Sequence, residues 1–231
     1  MIEIKELKKA YNGTTVLDVP SLSIATGESF GLVGNNGAGK TTLFRLVLDL
    51  IRANNGQVMI HGKDVRAGNE WKYYTGSYLD QRFLIDYLTP EEYFDFLQGI
   101  YGLSKGDLEA FYDGFAEFFN DEVLGKRKYI RDFSQGNKQK IGIAAALMAK
   151  PQVLILDEPF NGLDPTTQHR LIGLLNGLKA QNGITMLISS HDLRHITEVC
   201  SRITVLEKGS VIHDLKTDRD TLKELEDYFA V

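Results

Sequence analysis

GLVGNNGAGKTTLF, Gly31 to Phe44, runs from a short apolar segment, through a stretch almost bare of side chains, into a lysine and two threonines. Upstream, SFGLV (Ser29 to Val33) has the length and character of a buried strand; downstream, TTLFRLVLDLI (Thr41 to Ile51) carries apolar residues at helical spacing. The glycines therefore fall in a strand-to-helix turn. Gly34, Gly39, Lys40 and Thr41 fill the pattern G-x-x-x-x-G-K-[ST], with Asn35, Asn36, Gly37 and Ala38 inside it and Thr42 just after. Without Cβ atoms such a loop brings successive backbone N–H groups onto a polyphosphate, and the helix N-terminus adds a favourable dipole. Lys40 would then reach the β- and γ-phosphates and Thr41 would offer a hydroxyl to Mg²⁺. The alternative is a chance Gly-rich turn, expected in roughly 1 in 100 chains of this length from average residue usage. The strand before and helix after weigh against it.

Composition sets the frame for that loop. With 231 residues, 43% hydrophobic and 25% charged, the chain is sized for one sizeable core with room for a subdomain. Its longest apolar stretches, such as IGIAAALMA (Ile141 to Ala149), fall short of the ~20 residues that cross a bilayer. MIEIKELKKAY (Met1 to Tyr11) alternates apolar with charged residues and lacks the apolar centre of a secretory signal, so the expected address is cytoplasmic. A single cysteine, Cys200, excludes an intrachain disulfide and a cysteine zinc cluster, and its helical context next to Val199 reads as core. A net charge of −5 argues against broad nucleic-acid binding.

A phosphate loop does not choose between kinase, GTPase and ATPase. VLILDEP (Val153 to Pro159) is an aliphatic strand ending in two adjacent carboxylates. At the C-terminal edge of a parallel sheet, Asp157 would face the Mg²⁺ shell and Glu158 the γ-phosphate side, where a base orients water. A solvated turn is the ordinary reading of an isolated Asp-Glu pair; the phosphate loop favours the functional one. GITMLISSHD (Gly183 to Asp192) is another buried strand, and His191 just beyond its end is in place to hydrogen-bond the γ-phosphate, although a lone histidine is more often core or surface. Between the two, DPTTQHRLIGLLNGLKAQNG (Asp164 to Gly183) reads as a helix entered by Pro165 and left at Gly183. Strand and helix alternate as a parallel sheet requires. Before the paired acids, FSQGNKQKIGIAAALMAKP (Phe133 to Pro151) reads as a helix capped by Ser134, a second N-terminus suited to phosphate.

This set resembles the nucleotide-binding subunit of the ABC ATPases over essentially the whole chain. Phe133-Ser134-Gln135-Gly136-Asn137 resembles the family signature LSGGQ, keeping its serine and second glycine and departing at the other three positions. Phe160-Asn161-Gly162-Leu163-Asp164 resembles the D-loop, His191 the switch histidine, Gln81 in SYLDQRF the Q-loop glutamine, and Tyr11 the aromatic residue that stacks on adenine. The resemblance implies an α/β phosphate-loop NTPase fold: a RecA-like core, an N-terminal antiparallel β region and an inserted α-helical subdomain, roughly Thr89 to Ala149, within one domain spanning 1–231. It implies ATP and Mg²⁺ as cofactors, Glu158 as general base completed by His191 and Gln81, and Thr41, Gln81 and Asp157 around the metal. It also implies a head-to-tail dimer, a homodimer by preference with a related subunit as the alternative, in which Ser134 and Gly136 of one chain meet the γ-phosphate held by Lys40 of the other and Asp164 couples the halves. The remaining partner would be a separately encoded membrane permease, holding the chain on the inner face of the cell membrane; no nucleic acid is expected.

Residues Trp71 to Phe119 hold 15 of the 23 aromatic side chains, enough to fill the core of a small helical subdomain or to line a groove for a partner's helix. LIDYLTPEEYFDFLQGIYGLS (Leu84 to Ser104) and the closing LKELEDYFAV, with Leu222, Leu225 and Phe229 on one face, resemble the exporter branch that includes antibiotic-efflux ATPases. An ATPase subunit of an exporter is the preferred reading. A soluble ABC ATPase, for example in iron–sulfur assembly, is the alternative. A GTPase would want Asn-Lys-x-Asp, and the nearest match, Asn137-Lys138-Gln139-Lys140, lacks the aspartate.

Overall fold

A computed structural model describes residues 1–230, apart from the side chains of residues 181 and 182; Val231, the end of the 1–231 reading, lies outside the described residues. The chain builds two sheets. Strands β1 (Ile2–Tyr11), β2 (Thr14–Ile24), β4 (Asn55–Ile60) and the short β5 (Lys63–Asp64) form an antiparallel sheet in the order β2-β1-β4-β5. The second sheet runs β10-β9-β3-β8-β7-β6, from β3 (Ser29–Val33), β6 (Thr75–Tyr78), β7 (Val153–Asp157), β8 (Thr185–Ser190), β9 (Arg202–Glu207) and β10 (Ser210–Lys216). Five of its strands are parallel, and β10 closes one edge antiparallel to β9.

Both faces of the parallel sheet are covered, so β3, β7 and β8 are apolar along most of their length and buried throughout. Alternation sorts their side chains into two cores. Phe30, Leu32, Val153, Ile155 and Leu187 face a core shared with the antiparallel sheet and α1 (Lys40–Val47). Leu154, Leu156, Met186 and Ile188 face the opposite core, shared with α4 (Gln135–Leu147), α5 (Pro165–Asn182) and α6 (Leu193–Val199). Cys200 caps α6 there, and burial pushes its thiol up to about 12, an inert core residue. No helix among the described residues is long and apolar enough to cross a membrane.

Between β6 and β7 the chain inserts α2 (Pro90–Tyr101), α3 (Lys105–Phe119) and α4. Thr89 with Glu92, and Ser104 with Asp107, form capping boxes that start α2 and α3, and Gly102 and Asn120 end them in the left-handed conformation. Phe94, Phe111, Phe115 and Phe119 pack edge-to-face or tilted, with centroids 4.8–6.0 Å apart, so much of the aromatic excess fills a core. In contrast, α4 lies flush on β6: a Cβ on Gly142 would fall 2.0 Å from the Tyr78 ring.

The helix expected to run to Ile51 stops at Val47. Asp49 takes φ 50°, Leu50 N–H reaches Arg45 O at 2.8 Å and Asp49 N–H reaches Leu46 O at 3.1 Å. This is a Schellman ending without glycine. The apolar residues beyond it, which kept the helical period alive in the sequence, serve the edge of a groove instead.

Candidate functional site

The site gathers at the C-terminal edge of the parallel sheet, where three adjacent strands end. The loop after β3 must pass close under its neighbours: a Cβ on Gly34 would fall 2.2 Å from Leu206 O. Gly39 precedes the first turn of α1 at φ 109°, a conformation glycine reaches without steric cost. Asn35, Asn36 and Gly37 stand exposed, whereas Lys40 is buried and Thr41 and Thr42 are half-buried on the first turn.

Lys40 Nζ donates to Gly34 O at 2.7 Å and lies 3.2 Å from Glu158 Oε1. Glu158 Oε2 in turn sits 2.8 Å from His191 Nδ1 and accepts from His191 N at 3.2 Å. Lysine, carboxylate and histidine thus form one chain across the edges of β3, β7 and β8. Glu158 holds φ 49°, an uncommon backbone for a residue with a Cβ, and Gln139 of α4 donates to its carbonyl oxygen at 3.2 Å while its own N–H donates to Ser189 Oγ at 2.9 Å.

Asp157 ends β7 inside the same cluster, accepting hydrogen bonds from the Thr41 and Ser189 hydroxyls. Burial raises its carboxyl above the ordinary range, with the Glu158 charge adding to that, while the two hydroxyls and Lys40 oppose it. A carboxylate and a hydroxyl, both hard oxygen donors and already in contact, make a pair that fits Mg²⁺. Ser189 is the member that sequence reading passed over; its only signal was a small polar residue at the end of an apolar strand.

Other expected residues stand apart. Gln81 begins a short turn after β6, at the same sheet edge and half-buried, and among the described residues its side chain makes no hydrogen bond to the cluster. Tyr11 ends β1, 47% exposed, with Lys9 Nζ 4.7 Å from its ring centroid. The β2 backbone next to its hairpin approaches the phosphate loop, where a Cβ on Gly39 would meet Val16 O at 3.1 Å. Ser134 caps α4 by accepting from Asn137 N at 3.2 Å, and Gly136 packs so tightly that a Cβ would fall 2.7 Å from Gly162 O. Asp164 caps α5 through Thr167 N at 3.0 Å and Thr167 Oγ1 at 2.6 Å, contacts that hold its carboxyl below the ordinary range. Among the described residues no hydrogen bond or ion pair joins Ser134, Gly136 or Asp164 to Lys40, Thr41, Glu158 or His191.

Fold and site together define a phosphate-loop NTPase: a parallel sheet, a Gly-rich loop opening a helix, and paired acids ending the neighbouring strand. The ABC transporter family profile matches residues 17–161. The chain is 36% identical over 221 residues to the bacitracin transport ATP-binding protein BcrA of Enterococcus faecalis, covering 93% of this chain and 69% of that one. It is 32% identical to the linearmycin resistance ATP-binding protein LnrL of Bacillus subtilis, covering 92% and 68%. A solved ATP-binding subunit of an ABC transporter superposes with a TM-score of 0.84 at 30% identity, covering all of this chain and 93% of its own. The ATP-binding cassette MJ0796, solved as a dimer bound to ADP and Pi, shares the fold at TM-score 0.81 and 24% identity. The chain belongs to the ABC transporter family, among its ATP-binding subunits, which are ATPases.

Proposed function

We propose that two copies of this chain close head to tail around two Mg·ATP and, by opening after hydrolysis, drive a separate membrane permease that exports its cargo. The observation that carries this reading is a division within the chain. The group at the sheet edge holds the lysine, both acids and the histidine, while Gly136 of the signature turn packs on Gly162 of the D-loop, and among the described residues no hydrogen bond or ion pair joins Ser134, Gly136 or Asp164 to Lys40, Thr41, Glu158 or His191. A second chain completes each site.

In this reading the chain is one cassette, with residues of roughly 89–149 as its helical subdomain. Backbone N–H groups of Gly34 to Thr42 wrap the phosphates, and Lys40 leaves Gly34 O and Glu158 to donate to the β- and γ-phosphates. Thr41 and Asp157 hold Mg²⁺, with Gln81 joining from its turn; the bound ion supplies charge stabilisation at the phosphoryl oxygens. Glu158, freed from Lys40, accepts a proton from the attacking water, and His191 stays on Glu158 and reaches the γ-phosphate. Tyr11 stacks on adenine. Ser134 and Gly136 serve the partner's γ-phosphate, and Asp164 reports between sites.

A cavity of about 300 Å³ opens next to the Gln81 turn, lined by Leu48, Leu50, Trp71, Leu79 and Phe83. Phe83 and Leu50 are about half exposed, and Tyr73 and Tyr87 more so, an apolar surface suited to a helix of the permease. The names of the relatives, bacitracin transport and linearmycin resistance, support export of a small antibiotic-like cargo. The chain then works at the inner face of the cell membrane.

The test is to tag Glu158→Gln in the native source, solubilise membranes gently with ATP, and identify what co-purifies. A stoichiometric multi-span protein is expected. Only soluble partners, or the tagged chain alone across several detergents, overturns the transporter reading in favour of a soluble ABC ATPase.

A further inference from the structure

His195, one turn beyond His191 on α6, takes no part in the chemistry above, yet it touches two moving parts of the proposed cycle. Its ring stacks on Phe160, which opens the D-loop segment, with centroids 4.5 Å apart and planes 29° from parallel. Phe160 is buried, and its carbonyl oxygen accepts from Gln168 of α5 at 3.2 Å. On the other side, His195 Nδ1 stops 3.5 Å from Asp192 Oδ2, with no hydrogen-bond partner among the described residues although it is buried. Asp192 follows His191 directly and caps α6, its Oδ1 accepting from Arg194 N at 2.9 Å.

A phenylalanine would stack on Phe160 at least as well and would leave no polar atom stranded, a loss that ordinarily costs stability. We infer that His195 is a positioning residue that ties the switch loop to the D-loop: the stack holds Phe160, and Nδ1–H closes on the Asp192 carboxylate when the switch loop moves toward nucleotide. A shift of about half an ångström brings the pair into hydrogen-bond range. That bond makes the position of His191 and that of the D-loop a single variable, so the two are set together at each turnover. The inference rests on the proposed roles of His191 and the D-loop, and adds a residue that neither role requires.

The test is a double-mutant cycle of His195→Phe and Asp192→Asn on the full chain. Asparagine keeps the helix cap and removes the charge, and phenylalanine keeps the stack and removes the nitrogen. Each single variant should lower kcat about tenfold with the KM for ATP unchanged, and the double variant should be no slower than either. His195→Phe should also melt higher than the parent, because the stranded nitrogen is gone. Parental kcat in either single variant overturns the inference, as do losses that multiply in the double. Should His195→Phe fail to fold, Asp192→Asn alone decides by the same criterion. A Glu158→Gln variant that hydrolyses ATP normally would overturn the catalytic reading instead, so the two failures are distinguishable.

Discussion

Lys40 and Asp157 show how the site stores opposed demands. Lys40 is 7% exposed at its side chain and balanced by a carbonyl and a carboxylate, and on the proposed reading its ammonium exchanges both for phosphate oxygens. Lys40→Ala should weaken ATP binding about 100-fold, read by titration with a fluorescent nucleotide; affinity within twofold of the parent would remove Lys40 from the phosphate site. Asp157 carries the opposite strain, since burial disfavours its charge. Its carboxyl is raised above the unfolded value, so it stabilises the fold more when protonated, and that contribution fades as pH rises through the folded value. Asp157→Asn should therefore raise the melting temperature of the nucleotide-free protein above neutral pH, while abolishing the extra stabilisation Mg²⁺ gives in the presence of ATP. A variant that melts lower, or still responds to Mg²⁺, contradicts this account of the carboxylate.

At the scale of elements, the sequence carried the phosphate loop, the paired-acid strand and the Ser134 cap, because each pairs a periodic apolar run with a chemically unusual end. It did not carry the stop of α1 at Val47, since a Schellman turn at Asp49 leaves no glycine to read. Nor did it carry the left-handed backbone of Glu158, or Gln139 reaching the Glu158 carbonyl, a contact that depends on α4 crossing the end of β7. That crossing is fixed by the bare face of α4. Gly142→Ala should destabilise the fold by about 1–3 kcal/mol by denaturant melt, as the Tyr78 ring has to move; a neutral change would show α4 is not held against β6. Lower on α4, buried Lys140 donates to Glu122 Oε2 at 2.7 Å, and this bond holds the Glu122 carboxyl below its ordinary range. The contribution is present above the ordinary glutamate pKa and is lost as pH falls through the lowered folded value. Glu122→Gln should cost about 1–2 kcal/mol at pH 7, modest because the carboxylate is half exposed, and the deficit should shrink on acidification. A deficit independent of pH would mean the pair is a packing contact alone.

Across the whole molecule, two cores of different origin share one sheet. Helix α1, which follows the Gly-rich loop, belongs to the core facing the antiparallel sheet, whereas α4, Phe160 and Leu163 before α5, and α6 belong to the other. On the proposed reading, the helix behind the phosphate loop and the surface offered to a second copy are therefore anchored on opposite faces of the strands that end at the site. C-terminal helix α7 (Thr221–Phe229) seats Leu225 in the second core and sends Glu226 to 3.9 Å from Arg194 of α6. The proposed cycle requires that ATP binding join two such molecules. The most direct test is light scattering on purified Glu158→Gln with Mg·ATP. A dimer that forms only with nucleotide, holds two ATP and scarcely hydrolyses them is the predicted result. A variant that binds ATP yet stays monomeric, or turns over at the parental rate, contradicts it.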